Sequence, residues 1–279
     1  MDVEAIIYSA EDVIVPDFLP DNKETREEIE EYYRSISRID QGLGKRMKML
    51  RKTGKAENTI VFYISDNGMA FLRAKTTVYE TGMKLPCMIK GLMKEAKGLS
   101  TGVMIFWVDL ASTISEIAKV YFDNNQFHGK PFNNIICKEK VIGWNKIYVL
   151  HTFHEITMYY PMRVVIHNSY KLIWNIPHPL EYLFALNLWG ASTLQVIHRN
   201  NKEYFGSKKV KEYLHRPEFE LFDLDKGPNE LNNLATQENF KEVLDRMKKK
   251  MKTCQIQTKN PWTIMWDHDA SLQGSGVNL

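Results

Sequence analysis

The stretch from 21 to 68 constrains the fold most, because one hydrophobic period gives way to another and then stops at a polar turn. Ile29, Tyr32, Tyr33, Ile36, Ile39, Leu43, Met47 and Leu50 recur at helical spacing and form one stripe. Pro16 and Pro20 keep the preceding segment extended. Asp21 followed by Glu24 predicts a capping box, in its Asp form, at the helix start. Gly54 predicts the residue that closes it. Thr59-Ile60-Val61-Phe62-Tyr63-Ile64 is then a continuous run of β-branched and aromatic side chains, the pattern of a strand covered on both faces. It ends at Ser65-Asp66-Asn67-Gly68, which is turn chemistry. A helix feeding a buried strand that stops at a polar turn predicts an α/β architecture.

A second unit of this kind follows, with a strand expected over Val103–Val108 and a helix over Asp109–Val120. Residues 123–135 are Asn-rich and loop-like. From Lys146 the texture changes to short strands: Ile147–Leu150, Met158–Ile166 and Tyr170–Ile176, with a hairpin at His167-Asn168-Ser169. Phe219–Leu224 predicts a last strand, before the turn Asp225-Lys226-Gly227-Pro228. Phe240, Val243, Leu244, Met247 and Met251 predict a terminal helix. Residues 177–216 show no readable period. The expected division is therefore an α/β domain over 1–145 and a smaller domain over 146–279, with an antiparallel sheet and a terminal helix.

Bulk properties exclude several classes. The chain has 279 residues, 44% of them hydrophobic, enough to bury a sizeable core. Its 37 basic and 34 acidic side chains leave a net charge of +3, so no nucleic-acid partner is expected. The basic cluster Lys248-Lys249-Lys250 with Lys252 reads as a solvated helix face, with polyanion contact as the alternative. Cys87, Cys137 and Cys254 are too few and too scattered for a disulfide framework or a zinc site. No membrane span and no signal peptide are expected.

Two groups of residues carry chemistry. Asp66 and Asn67, at the carboxyl end of a strand in an α/β sheet, are hard oxygen ligands suited to Ca²⁺ or Mg²⁺. Read alone, the same residues also make a plain turn. Lys75 follows by one short loop, and a lysine beside a bound cation makes sense if both hold one anion; read alone, it is also a surface lysine.

The run Ser65-Asp66-Asn67-Gly68, then Lys75-Thr76-Thr77-Val78-Tyr79-Glu80 with Gly82 and Pro86, resembles the sulfatase family. The long helix ahead of it, Val108-Asp109-Leu110-Ala111-Ser112-Thr113, and Glu220-Leu221-Phe222-Asp223-Leu224 with Gly227-Pro228-Asn229-Glu230 and Asn233-Leu234-Ala235 resemble further family segments in the same order. Val15–Asp21, His154–Arg163 and Pro261-Trp262 are similar to the sulfamidase branch, the heparan N-sulfatases.

The resemblance implies the C-terminal part of an alkaline-phosphatase-like sulfatase fold. It also implies hydrolysis of sulfate esters or sulfamates, here removal of N-linked sulfate from glucosamine of heparan sulfate. Asp66 and Asn67 would be calcium ligands, and Lys75 would contact the sulfate. His154 and Glu155 would lie near the sugar or the leaving nitrogen, or would serve packing and solvent. Arg163 would touch substrate or form a structural ion pair. A sulfated glycosaminoglycan partner, a homodimer and a lysosomal setting are implied with the family.

One departure is large. The family's nucleophile is a cysteine in Cys-x-Pro/Ala-x-Arg, converted to formylglycine, and none of the three cysteines has that context. The paired aspartates that open the family's metal site are absent too. The chain is therefore expected to be a partial chain or a degenerate paralogue, inactive alone, with an exposed strand edge where the sheet's first strands would lie. The alternative is a non-catalytic remnant that binds sulfated glycan or a partner.

Overall fold

The structure, a computed structural model, describes residues 3–91, 98–120, 127–136, 138–139, 141–156 and 158–266. Cys137, Thr157 and part of the Asn-rich loop lie outside them. In chain order the elements are α1 (Lys23–Lys52), β1 (Val61–Ile64), α2 (Glu80–Met83), β2 (Cys87–Lys90), α3 (Asp109–Ile117), β3 (Lys146–His154), β4 (Met158–His167), β5 (Tyr170–Asn175), α4 (Leu186–Trp189), α5 (Ser192–Arg199), β6 (Tyr204–Phe205), β7 (Lys208–Lys209), α6 (Val210–Leu214), β8 (Phe219–Asp223) and α7 (Lys241–Gln257). They divide into two compact units, one from Met1–Leu92, Phe153–Tyr160 and His178–Arg216, the other from Met93–Thr152, Pro161–Pro177 and Pro217–Leu279.

In the first unit, α1 begins one residue later than the sequence pattern suggests. Asn22 is the cap, its side chain accepting from the Thr25 N–H at 2.9 Å. Asp21 instead pairs with Arg26, Nε to Oδ1 at 2.5 Å, and Arg26 also donates to the Glu11 carbonyl at 3.2 Å. The pair ties the extended lead-in to the helix, a use of Asp21 that local spacing cannot distinguish from capping. Gly54 closes the helix at φ +69°, as expected.

Helix α1 buries Thr25 and Ile29, whereas Ile36 and Ile39 are 40% and 49% exposed, so the stripe is fully buried only near its start. There α1 meets α5. The Glu28 carboxylate accepts from the Ser192 N–H at 2.5 Å and the Thr193 N–H at 3.3 Å. It thus caps an N-terminus whose own cap residue, Ala191, has no side-chain acceptor.

Strand β1 departs from expectation. It is half-buried rather than covered on both faces, and among the described residues it pairs only with β2, antiparallel, from Val61 opposite Lys90 to Ile64 opposite Cys87. A continuous apolar run reports what a strand could bury; coverage depends on which elements lie over it.

In the second unit, Val103–Val108 forms no strand. The Phe106 N–H bonds to Asp109 Oδ2 at 2.9 Å and the Asp109 N–H to the Phe106 carbonyl at 2.8 Å, which turns the chain into α3. A backbone bent this way cannot sustain a ladder. Asp109, 6% exposed, uses its other oxygen on the Lys130 N–H at 2.9 Å, while Thr113 Oγ accepts from the Phe132 N–H at 3.1 Å. This Asp-and-Thr helix start therefore staples a loop to α3.

The four-stranded sheet runs β3-β4-β5-β8. The β4–β5 hairpin turns through Asn168 at φ +54° with His167 opposite Tyr170, where the sequence places it. Val165, Leu172, Trp174 and Leu221 from the sheet pack with Met247 and Met251 of α7, as a two-layer α+β unit requires. Asn233 seals the sheet's β8 side: its Oδ1 accepts from the Leu221 N–H at 2.8 Å and its Nδ2 donates to the Phe219 carbonyl at 3.0 Å. No helix among the described residues is long and apolar enough to cross a membrane.

Candidate functional site

The loop from Ser65 to Met83 is folded onto itself. Asp66 Oδ1 accepts from the Asn67 N–H at 3.0 Å, and Ser65 Oγ donates to the Asn67 carbonyl at 2.8 Å, which shapes the turn at the end of β1. The Gly68 N–H then reaches the Gly82 carbonyl at 3.2 Å, and the Lys75 N–H reaches the Met69 carbonyl at 3.1 Å. Thr77 Oγ donates to the carbonyls of Arg73 and Ala74, and Thr81 Oγ donates to the Arg73 carbonyl at 2.5 Å.

Arg73 and Thr76 both sit at φ +66°, a conformation costly for side chains with a Cβ and retained only where surroundings hold it. Phe71 packs edge-on against Tyr32 of α1, with ring centroids 5.9 Å apart. The effect is to hold Asp66, Asn67 and Lys75 on one loop anchored at both ends. Asp66 is exposed, whereas Asn67 and Lys75 are half-buried.

Calcium takes roughly six to eight oxygen ligands. Asp66 and Asn67 supply two side chains, and among the described residues no three His, Cys, Asp or Glu side chains gather where a metal could be held. The residues present therefore fit part of a calcium site and not a whole one. The chemistry this loop offers by itself is the Lys75 ammonium.

His154 and Glu155 come together at the turn after β3 rather than on opposite faces of a strand. His154 Nε2 lies 3.6 Å from Glu155 Oε1, and Glu155, at φ +59°, accepts from the Leu186 N–H at 3.2 Å. Half of this carboxylate is thus spent on backbone. Arg163, in the second unit, is 4% exposed and donates to the carbonyls of Met162 at 2.8 Å and His151 at 3.1 Å. Its guanidinium braces backbone.

Neither described cysteine is set up as a nucleophile. Burial pushes the thiols of Cys87 and Cys254 above the usual range, the opposite of what thiolate chemistry needs. Both are expected to react with iodoacetamide at pH 8 more slowly than free cysteine, read by mass spectrometry. Faster labelling of either would contradict this environment.

Two residues beside this loop carried no signal in the sequence. The Tyr182 hydroxyl donates to the Thr76 carbonyl at 2.9 Å, and the buried Arg216 guanidinium lies 3.5 Å from the Tyr182 ring centroid. Both fall in 177–216, where no period is readable, and their partners come from distant parts of the chain.

Residues 8–120 match the sulfatase family model. Human N-sulphoglucosamine sulphohydrolase is 26% identical over 272 residues, covering 93% of this chain and 54% of that protein. An ulvan-active sulfatase of Formosa agariphila is 26% identical over 227 residues, 79% of this chain and 42% of its own length. The chain thus spans about half the length of these curated relatives.

Among solved structures, a 2-O GAG sulfatase superposes with TM-score 0.64 at 15% identity, covering 92% of this chain and 51% of that one. A protein in complex with its substrate D-glucosamine-2-N,6-O-disulfate superposes with TM-score 0.61 at 17% identity, covering 85% of this chain and 43% of that one. The fold is that of part of an alkaline-phosphatase-like sulfatase, mixed α/β with antiparallel sheets.

Proposed function

We propose that this chain is the C-terminal part of a sulfatase-family hydrolase that removes N-linked sulfate from glucosamine of heparan-type glycosaminoglycan in a lysosomal setting. Lys75 holds the sulfuryl group. Asp66 and Asn67 contribute to a calcium site whose remaining ligands lie outside this chain; the ion would supply charge neutralisation at the sulfuryl oxygens. His154 and Glu155 line the sugar side. The chain by itself has no nucleophile in the family's cysteine context, and no sulfatase activity is expected from it alone.

The supporting observation is the Lys75 N–H to Met69 carbonyl bond at 3.1 Å, which ties the lysine's backbone to a residue two positions after Asn67. A lysine so held meets a sulfate through a charge-assisted hydrogen bond, and fixing its backbone in advance lowers the ordering cost of binding.

The test is binding of N-sulfoglucosamine to the full chain, with and without Ca²⁺, by calorimetry. Lys75→Ala is expected to weaken binding about ten- to hundredfold, the worth of one charge-assisted bond. Binding that survives Lys75→Ala but falls steeply with salt would instead assign sulfated-glycan contact to the basic face of α7, the non-catalytic alternative.

A further inference from the structure

We propose that Tyr182, itself clamped by Arg216, is the positioning residue for Lys75, an inference that rests on reading Lys75 as the sulfuryl contact. Lys75 is followed by Thr76 at φ +66°, a β-branched residue in the left-handed region, where its own preference would straighten the loop. The described bond that opposes this from beyond the loop is the Tyr182 hydroxyl on the Thr76 carbonyl, at 2.9 Å. Thr76 Oγ in turn donates to the Lys75 carbonyl at 2.6 Å, so the peptide units on both sides of Thr76 are held.

Tyr182 is 1% exposed, and its backbone N–H bonds to the Leu214 carbonyl at 2.8 Å. Its ring stands edge-on to Tyr160 and Tyr213, with centroids 5.0 Å and 5.3 Å away. The Arg216 guanidinium covers the Tyr182 ring at 3.5 Å from the centroid, and Arg216 Nε donates to the Tyr213 carbonyl at 3.0 Å. A cation over the ring, two rings set nearly perpendicular to it and a fixed backbone hold the tyrosine in one orientation. The hydroxyl is thereby aimed before any ligand arrives, and the lysine next to Thr76 inherits that order. The whole assembly lies in the first unit.

The test follows acylation of each lysine of the full chain by mass spectrometry, with N-sulfoglucosamine added in steps. In the wild type the sugar protects Lys75. Tyr182→Phe keeps the ring and removes the tether, and is expected to raise the half-protection concentration at Lys75 about fivefold, the worth of one neutral hydrogen bond. Thr76→Asn in the Tyr182→Phe background is expected to restore it, because asparagine tolerates the left-handed region without a tether. A tyrosine that served only core packing would not be rescued from position 76.

Wild type unprotected at Lys75 overturns the sulfuryl reading, and this inference with it. Wild type protected and Tyr182→Phe equally protected overturns the positioning role alone. So does a Tyr182→Phe chain that fails to fold, or one that Thr76→Asn does not rescue.

Discussion

Glu230→Gln lowers the stability of the chain by about 3–5 kcal/mol, the cost of breaking a buried ion pair from one side. Lys171 Nζ lies 2.7 Å from Glu230 Oε1, with the two side chains 0% and 2% exposed. Lys171, the second residue of β5, lies opposite Phe222 of β8 and Ile166 of β4, so its backbone is held by strands on both sides. Replacing both residues, as Lys171→Met with Glu230→Leu, is expected to recover most of the loss, because the desolvation cost leaves with the charges. Urea unfolding of the wild type and the two variants measures this. A single-variant loss under about 1 kcal/mol would show that the pair is solvated in solution, contrary to the structure.

Gly82→Ala disables the candidate site while leaving the sheet of the second unit intact. A Cβ at Gly82 would lie 2.4 Å from the Ala74 carbonyl oxygen and 2.6 Å from that of Thr77, and neither backbone atom can swing aside. Gly68 faces the same segment, where a Cβ would lie 2.4 Å from the Thr81 carbonyl oxygen. Overpacking of this kind costs about 1–3 kcal/mol. The expected outcome is an opened 68–82 loop, with fast amide exchange at Gly68 and Lys75, whose N–H groups bond across it. Protection of Lys75 by N-sulfoglucosamine should weaken roughly ten- to hundredfold on that scale. Unchanged exchange at both amides would sink the idea that close packing of two glycines holds this loop.

Lys171 reads in the sequence as one polar residue in a short strand, and Glu230 only as part of a segment similar to sulfatases. Nothing local says that each is the other's partner or that both are buried. Spacing predicts the cap at Asp21, but Asn22 fills that role, because the placement of Arg26 and the extended lead-in draws Asp21 away. Val103–Val108 has the composition of a strand, but the Asp109 carboxylate captures the Phe106 N–H and bends the chain.

What the sequence determined by itself is what local spacing can encode. That covers the long helix and its glycine stop, the β4–β5 hairpin, the terminal helix, and a loop in which Asp66, Asn67 and Lys75 stand in an order similar to sulfatases. Each depends on residues a few positions apart, whose periods and turn preferences act before the chain is folded. Only the tertiary structure decided that β1 is half-covered, that Glu28 caps α5, and that the Tyr182 hydroxyl, under Arg216, reaches the Thr76 carbonyl. The aromatic group around Arg216 draws Tyr79, Tyr160, Tyr182 and Tyr213 from separate stretches of chain. A cation–ring contact exists only once the chain has brought its members within a few ångströms, so no spacing in the sequence can announce it.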